Sequence, residues 1–294
     1  MTDLIIRPAS QEEFFIAEEW AAAEGWNPGL DDLDVFHATD PGGFLMGWKD
    51  GQPVSSISVV RYGPDFGFLG FYIVRPDLRG TGAGLATWNA GLEHLGRRTI
   101  GLDGVVAQQE NYRRSGFEPA GRNVRFSGVP GLVQGRGERA GIRDFAFSDG
   151  AALLEYDRDF FPAPRDTFTC RWTLSGANAT RRTKLCERDG RMTGYGVIRA
   201  CRSGFKVGPL FADDAGTARD LFIALCSDLP GRDAVGGSAG GEVSLDVPET
   251  NKAAVALAGE FGLEPVFETA RMYRGKMPAL PMERTFGLAS FELG

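Results

Sequence analysis

The residues best placed to do chemistry lie in a short stretch that follows an apolar strand. Gly80, Gly82 and Gly84 alternate with small residues just before an amphipathic helix, and Arg79 precedes them. Glycines let the main chain come close to a ligand and leave its N–H groups free to donate hydrogen bonds. The start of the following helix adds the positive end of its dipole. This combination predicts a binding site for an anion such as phosphate.

Two common phosphate motifs do not fit this stretch. A P-loop requires Lys followed by Ser or Thr after its last glycine, whereas Leu85 and Ala86 stand there. A dinucleotide fingerprint has its first glycine directly after the strand, whereas Pro76 and Arg79 separate the strand from the glycines here. Nucleotide hydrolysis and dinucleotide binding are therefore disfavoured.

The run from Val74 to Gly84 instead resembles motif A of the GNAT superfamily, the acetyl-CoA-dependent N-acyltransferases. Its Arg79-x-x-Gly82-x-Gly84 matches the family pattern Q/R-x-x-G-x-G/A. The resemblance implies acetyl-CoA as co-substrate, with the loop holding the pyrophosphate and a splayed strand offering main-chain groups to the pantetheine and thioester. The cofactor-binding residues that we predict on this basis are Ile73, Val74, Arg79, Gly80, Thr81, Gly82, Ala83 and Gly84.

A second motif follows the next strand, which we expect over residues 100–106. Tyr112-x-x-x-Gly116-Phe117 is similar to a GNAT motif in which the tyrosine hydroxyl faces the thioester sulfur. A phenol is a hydrogen-bond donor at neutral pH, so we predict that Tyr112 is the catalytic acid for the departing thiolate. The alternative is a tyrosine that only packs under the Gly116-Phe117 turn.

The general base is harder to predict. Direct attack needs a neutral amine, and deprotonating a lysine-like amine at pH 7 costs roughly 4.6 kcal/mol. The strand from Phe66 to Ile73 carries no carboxylate, while Asp103 lies in an otherwise apolar strand near the expected acceptor. We name Asp103 as a catalytic candidate. A matching Asp246 in the second half of the chain leaves a shared structural role equally open.

Acceptor and cofactor contacts are predicted outside these motifs as well. Trp26 and Asn27 fall in a loop after the first helix, near several acids, where an aromatic ring could receive a cation. We predict both as substrate-binding, with simple burial of Trp26 as the alternative. Arg114 is a candidate contact for the 3′-phosphate of coenzyme A.

Composition limits the remaining possibilities. The 294 residues are 43% hydrophobic, which suggests about two globular domains. With 32 basic and 39 acidic residues, the net charge of −7 argues against nucleic-acid binding and favours a small-molecule amine acceptor. No apolar run reaches the roughly 18 residues of a membrane helix, and Met1 to Ser10 lacks a signal-peptide pattern. We expect a cytoplasmic monomer or homodimer without a membrane partner.

Metal and disulfide sites are not indicated. The four cysteines form no C-x-x-C pair, and the chain has only two histidines, His37 and His94. Zinc sites and disulfide frameworks normally need more Cys and His at closer spacing. We therefore predict no metal.

The chain also repeats itself. The offset between matching positions grows from 139 residues (Asp50 to Asp189) through 143 (Asp103 to Asp246) to 146 (Gly116 to Gly262). In place of the glycine loop the second copy has Asp213 and Asp214, which favour helix capping and repel a phosphate. The second copy is therefore not expected to bind coenzyme A.

The whole pattern resembles tandem GNAT proteins of bacterial type with a YitH-type C-terminal domain. It implies a mixed α/β fold (α+β) with two tandem GNAT-like domains, 1–130 and 141–294, each a central, mostly antiparallel, splayed sheet flanked by helices. The glycine-rich, aperiodic segment from Gly128 to Arg143 fits the boundary. The first half would carry acetyl-CoA and catalysis, and the second would shape the acceptor pocket or be structural.

Local signals predict several elements directly. We expect a first strand over Thr2 to Arg7, a helix from Gln11 to Ala23 capped by Ser10, and a hairpin of residues 44–49 and 52–61 about Asp50-Gly51. The predicted function is transfer of an acetyl group from acetyl-CoA to a primary amine. The alternative is a non-catalytic acetyl-CoA-binding or sensory module.

Overall fold

A computed structural model describes residues 4–131, 141–174, 180–227, 229 and 241–294. The helices are α1 (Gln11–Ala23), α2 (Asp32–Thr39), α3 (Ala83–Leu95), α4 (Gln109–Arg114), α5 (Gly150–Asp157), α6 (Asp166–Thr173), α7 (Ala215–Ser227) and α8 (Lys252–Glu260). The strands are β1 (Ile5–Pro8), β2 (Phe44–Lys49), β3 (Gln52–Tyr62), β4 (Phe66–Val74), β5 (Thr99–Val105), β6 (Glu118–Gly128), β7 (Ile142–Asp144), β8 (Arg181–Arg188), β9 (Arg191–Ala200), β10 (Phe205–Ala212), β11 (Val243–Pro248), β12 (Glu264–Arg274) and β13 (Thr285–Gly287).

These strands form one mixed sheet that runs through both halves of the chain. Their order is β1-β2-β3-β4-β5-β12-β6-β11-β10-β9-β8-β7, and β13 pairs with β10 beside this path. Among the described strands, β4 pairs with β5 and β10 with β11 in parallel, whereas the other pairs are antiparallel. The predicted mixed α/β class with two mostly antiparallel units is confirmed, and the two units share a single sheet.

The two halves exchange a strand in the middle of this sheet. The long strand β12 of the second half pairs with β5 of the first half, from Thr269 opposite Val105 to Arg274 opposite Ile100. The last strand of the first half, β6, pairs with β11 of the second. The predicted domains, 1–130 and 141–294, stay a prediction. Strands of one predicted domain pair with strands of the other. Residues 132–140 of the expected boundary lie outside the described residues.

Elements with strong local signals match the sequence expectations. Helix α1 spans the predicted residues, and Ser10 closes a capping box with Glu13. Asp50 and Gly51 both have positive φ at the β2–β3 turn, as a two-residue hairpin with Asp-Gly requires. The first strand begins at Ile5, and residues 2 and 3 of the expected strand lie outside the described residues.

A shared aromatic core joins the halves on one face of the sheet. Phe36 of α2 stacks on Trp172 of α6 with ring centroids 5.7 Å apart, and both rings are buried. Phe14 and Phe71 of the first half belong to the same cluster as Tyr195 and Phe211 of the second. Since burial of apolar surface is the main stabilising term in folding, the halves stabilise each other. None of the described helices is long and apolar enough to span a membrane.

Candidate active site

The site is built where strands β4 and β5 separate. Their parallel pairing runs from Phe66 opposite Thr99 to Leu69 opposite Leu102 and then ends, although β4 continues to Val74. Phe71 has a positive φ of 45°, and the β3–β4 register shifts at this point. A bulge of this kind bends a strand and ends its pairing. The end of β4 therefore turns its main chain toward an open cleft.

This cleft encloses a cavity of about 610 Å³. Its walls include the end of β4, the glycine loop before α3, the end of β5 and Tyr112 of α4. Of the predicted cofactor contacts, Ile73, Val74, Arg79, Gly80, Gly82 and Gly84 line the cavity. Thr81 of the loop and Ala83, the first residue of α3, are not lining residues. Leu85, which the helical spacing places on the face of Trp88 and Leu95, is 65% exposed and lies at the cavity wall instead.

The loop has the conformation that an anion site needs. Gly80 and Gly82 have φ of 80° and 93°, a region that other residues rarely adopt, and a Cβ at either would meet nothing within 4 Å. A Cβ at Gly84 would lie 2.8 Å from the Tyr72 hydroxyl, so this glycine allows close packing of α3 on β4. Gly82 is the N-cap of α3 and offers no side-chain cap. The N-terminal N–H groups of this helix are thus available to a bound anion.

The equivalent helix in the second half is closed by its own carboxylate. Asp214 accepts hydrogen bonds from the main-chain N–H of Thr217 at 2.8 Å and from its hydroxyl at 3.0 Å. Strand β13 also pairs with the end of β10, with Leu210 opposite Gly287, in the place where that strand leaves β11. The end of β10 and the start of α7 are therefore already occupied by protein groups. The absence of coenzyme A from this half stays a prediction.

Arg79 is held beside the loop by two contacts. Its Nη2 lies 2.7 Å from a carboxylate oxygen of Glu24, and its Nε donates to the Val74 carbonyl at 3.1 Å. Both side chains of this ion pair are about half exposed, so the pair is worth little and is easily rearranged. The guanidinium is consequently free to turn toward a phosphate.

The Tyr112 side chain is fixed in the cavity wall. Its ring stacks on Trp88 at 5.6 Å, and a Cβ at Gly104 would lie 2.1 Å from it, so Gly104 makes room for the ring. Within the described residues its hydroxyl makes no hydrogen bond. Burial, reinforced by the neighbouring Tyr72, raises the pKa of Tyr112 well above its usual value. The hydroxyl therefore stays a proton donor at neutral pH.

Asp103 also lines the cavity, but its carboxylate is already engaged. Arg271 of β12 donates to both oxygens, from Nε at 2.8 Å and from Nη2 at 2.6 Å. Asn123 of β6 adds a third hydrogen bond at 2.7 Å. The catalytic role of Asp103 stays a prediction, and these bonds correspond to the structural role that the sequence left open.

Three further predicted residues lie in different surroundings. Trp26 lines the cavity, and its carbonyl accepts hydrogen bonds from Arg125 and Lys206. Asn27 does not line the cavity. Its side-chain amide donates a hydrogen bond to the Ser203 carbonyl and accepts one from the Ser203 N–H. Arg114 is exposed on α4 and is not a lining residue.

The far wall contains residues that sequence reasoning missed. Phe267 comes from the exchanged strand β12, and Phe291 and Glu292 come from the C-terminal tail, residues 288–294. Arg125 of β6 lies over the Phe291 ring at 4.9 Å. The sequence did contain a signal for Arg125. Arg125 and Arg271 are 146 residues apart, the same offset as between Gly116 and Gly262 of the repeat, so they occupy equivalent positions in the two halves. No sequence signal pointed to the tail.

Comparisons with known proteins agree with this geometry. The profile of the acetyltransferase (GNAT) family matches residues 7–117, and that of an acetyltransferase (GNAT) domain matches residues 153–287. A holothin acyltransferase from Pseudoalteromonas sp. (strain SANK 73390) is 31% identical over 288 residues, which are 98% of this chain and 94% of the relative. This chain belongs to the GNAT family.

Solved structures share the tandem architecture of this GNAT protein. A Pyrococcus horikoshii protein described as an acetyltransferase superposes with a TM-score of 0.77 at 20% identity, covering 99% of this chain and 96% of the other. A tandem GNAT protein from the clavulanic acid biosynthesis pathway gives a TM-score of 0.58 at 14% identity, with 94% and 100% covered. These likenesses show the fold. The predicted membership of the GNAT acyltransferases is confirmed, and the finer YitH-type description stays a prediction.

Across the described parts of the chain, no group of three or more His, Cys, Asp or Glu side chains is arranged to hold a metal ion. The cysteines in those parts, Cys170, Cys186, Cys201 and Cys226, form no disulfide with one another.

Proposed function

We propose that this GNAT protein transfers an acetyl group from acetyl-CoA to the primary amine of a small, largely apolar molecule. The observation that carries the proposal is the continuity of one cavity from the glycine loop, past Tyr112, to the aromatic far wall. A donor with a diphosphate at one end and a reactive thioester at the other fits such a path. The acceptor amine would then meet the thioester where β4 leaves β5.

The donor end is supported by the loop. We assign the pyrophosphate to the main-chain N–H groups of residues 80–84 at the start of α3, with Arg79 turning from Glu24 to help. Ile73 and Val74 pair with β3 on one side only, and their other edge, beyond the end of the β4–β5 pairing, would hold the pantetheine arm. Arg114 stays a proposed contact for the 3′-phosphate. Acetyl-CoA supplies an activated acyl carbon and a thiolate leaving group.

The acceptor end is mainly apolar. Trp26, Phe71, Phe267 and Phe291 line the cavity, and aromatic walls of this kind bind flat or apolar molecules. The name of the holothin acyltransferase relative suggests holothin as one acceptor to test. Asn27 is a weaker candidate contact, since Ser203 already uses its amide.

In the reaction, Tyr112 would give its hydroxyl proton to the departing thiolate. The raised pKa of this buried phenol keeps the proton in place until the sulfur becomes basic. Asp103, the catalytic candidate of the sequence, is a poor base, because its oxygens already accept three hydrogen bonds. We therefore assign Asp103 to support of the cavity wall.

Calorimetry with acetyl-CoA tests the donor site. Wild type should bind, and Gly82→Glu should bind about tenfold or more weakly, because the left-handed conformation at position 82 disfavours a side chain by about 1–2 kcal/mol and the new charge repels phosphate. Gly51→Glu, at a positive-φ glycine of the β2–β3 turn that does not line the cavity, is the matched control. Equal binding by Gly82→Glu and Gly51→Glu would remove the site assignment.

Thiol release from acetyl-CoA, propionyl-CoA and butyryl-CoA, measured against a panel of primary amines, tests the activity. The panel should contain holothin, benzylamine, aniline, glucosamine and spermidine. Preference for apolar amines over glucosamine and spermidine is expected from the aromatic wall. Tight acetyl-CoA binding without thiol release from any amine would favour the sensory module instead.

A further inference from the structure

The C-terminal tail brings a carboxylate into the cavity of the first half. All residues of the tail are buried. Tyr62 donates to the Leu293 carbonyl at 3.1 Å, and Arg165 donates to Gly294 at 3.1 Å. Its other end is fixed by the Leu288 N–H, which donates to the Asp246 carbonyl at 2.9 Å. The tail therefore has one defined position, and Glu292 is part of it.

Glu292 lies against the point where β4 leaves β5. A Cβ at Gly70, the first residue of β4 beyond the pairing with β5, would be 2.2 Å from the Glu292 carbonyl oxygen. This contact requires glycine at position 70 and places Glu292 beside the strand that would carry the thioester. Glu292 lines the cavity and is only 6% exposed.

Among the described residues three carboxylates line the cavity, and they differ in their partners. Glu24 pairs with Arg79, and Asp103 pairs with Arg271. Glu292 has neither a hydrogen bond nor an ion pair to its side chain in those parts of the chain. A buried polar group without a partner is costly unless a ligand completes it. Glu292 is thus the carboxylate available to an acceptor.

Buried cations surround this carboxylate at longer range. Arg125, Lys206 and Arg199 all interact electrostatically with Glu292. Their positive charge offsets part of the cost of burying a carboxylate in an apolar wall. The same charges disfavour an ammonium ion near them and so favour a bound acceptor whose nitrogen has lost its extra proton.

We propose that Glu292 is the general base that receives the proton of the acceptor's ammonium group. This proposal rests on the proposed function. The carboxylate takes one proton, and the neutral nitrogen then attacks the thioester carbon, so that a C–N bond forms and the C–S bond breaks. The thiolate takes a proton from Tyr112, the phenolate recovers one from the new amide nitrogen, and Glu292 later releases its proton to water.

The test is Glu292→Gln in the full-length protein, with Glu283→Gln as the matched control in the same C-terminal region. Glu283 is exposed and does not line the cavity. With benzylamine, or with the alkylamine of the panel that reacts fastest, Glu292→Gln should lower kcat by about a hundredfold to ten-thousandfold. Glu283→Gln should leave it unchanged. Acetyl-CoA binding by calorimetry should be the same in all three proteins.

The pH profile separates a base from a merely structural residue. In Glu292→Gln the rise of kcat/KM with pH should move toward the pKa of the free substrate amine, which for a lysine-like alkylamine is about 10.4. With aniline, whose nitrogen is already neutral, the loss in kcat should be much smaller. An equal loss with both amines and an unmoved profile would overturn the proposal, as would full activity of the variant.

If Glu292→Gln does not fold, a second variant, Glu292→Asp, tests the proposal. Glu292→Asp keeps the charge on a side chain shorter by one methylene, and it should slow turnover about tenfold or more with the wild-type pH profile retained. Wild-type turnover by Glu292→Asp would overturn the proposal. If wild type itself binds acetyl-CoA but releases no thiol with any amine, the proposed function fails, which is a result distinct from wild-type activity that survives the loss of Glu292.

Discussion

The Asp103 carboxylate is held by the Arg271 guanidinium in a two-pronged ion pair of 2.8 and 2.6 Å. Asp246 of the second half and Arg125 of the first form the equivalent pair at 2.6 and 2.8 Å. Each pair joins a strand of one half to the strand that it has received in exchange, β5 to β12 and β11 to β6. The two buried pairs therefore lock the exchange in a repeated geometry.

Breaking one of these pairs should be strongly destabilising. Arg271→Met leaves the buried Asp103 without its charge partner, which costs about 3–5 kcal/mol because a buried charge is then uncompensated. Urea unfolding followed by circular dichroism measures the change. Arg219→Met, which breaks the exposed pair with Glu260, should change stability by about 1 kcal/mol or less. A similarly small effect of Arg271→Met would contradict the assigned structural role.

The Tyr112→Phe variant should separate catalysis from folding. Removing a hydroxyl that bonds no other described residue should leave thermal stability nearly unchanged, since the ring keeps its stacking on Trp88. The turnover number should fall by about a hundredfold if the phenol protonates the thiolate. The measurements are thiol release under saturating acetyl-CoA and a melting curve. An unchanged turnover number would eliminate the acid role.

The position of the tail can be tested through Gly70. Gly70→Ala forces a Cβ to within 2.2 Å of the Glu292 carbonyl, so the tail must move, and we expect a loss of about 1–3 kcal/mol. Carboxypeptidase digestion of the C-terminus should also become faster. Gly259→Ala in α8, where a Cβ would meet nothing within 4 Å, should instead stabilise by about 0.5–1 kcal/mol. Unchanged digestion in Gly70→Ala would argue against the docked tail.

Glu18 should make the stability of the fold depend on pH. Burial raises its pKa from 4.5 to about 7, with Arg202 acting in the opposite direction. The folded state then binds more protons than the unfolded state between these values, so the free energy of unfolding falls as pH rises from 4.5 to about 7. The loss is of order 1–3 kcal/mol.

Chemical denaturation at pH 5 and pH 8 measures this dependence. Glu18→Gln should be more stable than wild type at pH 8 and should show a smaller difference between the two pH values. Glu12→Gln, at an exposed position of the same helix, is the control and should keep the wild-type difference. Parallel pH curves for wild type and Glu18→Gln would rule out Glu18 as the source.

Features determined by neighbouring residues could be predicted from the sequence. Ser10 and Glu13 form the expected capping box, and Asp50-Gly51 forms the expected turn, because each is decided within a few residues. The glycine loop was recognisable for the same reason, and comparison with the GNAT family confirmed the family.

Partners distant in the chain could not be predicted in this way. Asp103 was visible as an isolated acid in an apolar strand, but its partner Arg271 lies 168 residues away on a strand that a simple tandem arrangement would pair elsewhere. Glu292 gave no signal because its role depends on where the tail docks. Periodicity and motif spacing do not report such long-range pairing.

The exchange of β6 and β12 has a consequence for how this protein can be taken apart. A fragment cut near residue 130 would keep a strand whose neighbours belong to the missing piece and would leave the edge of β5 bare. Unpaired strand edges form hydrogen bonds with other strands, so such fragments would dimerise or aggregate. Because the two repeats share one sheet, neither repeat is expected to fold or to be expressed in soluble form without the other.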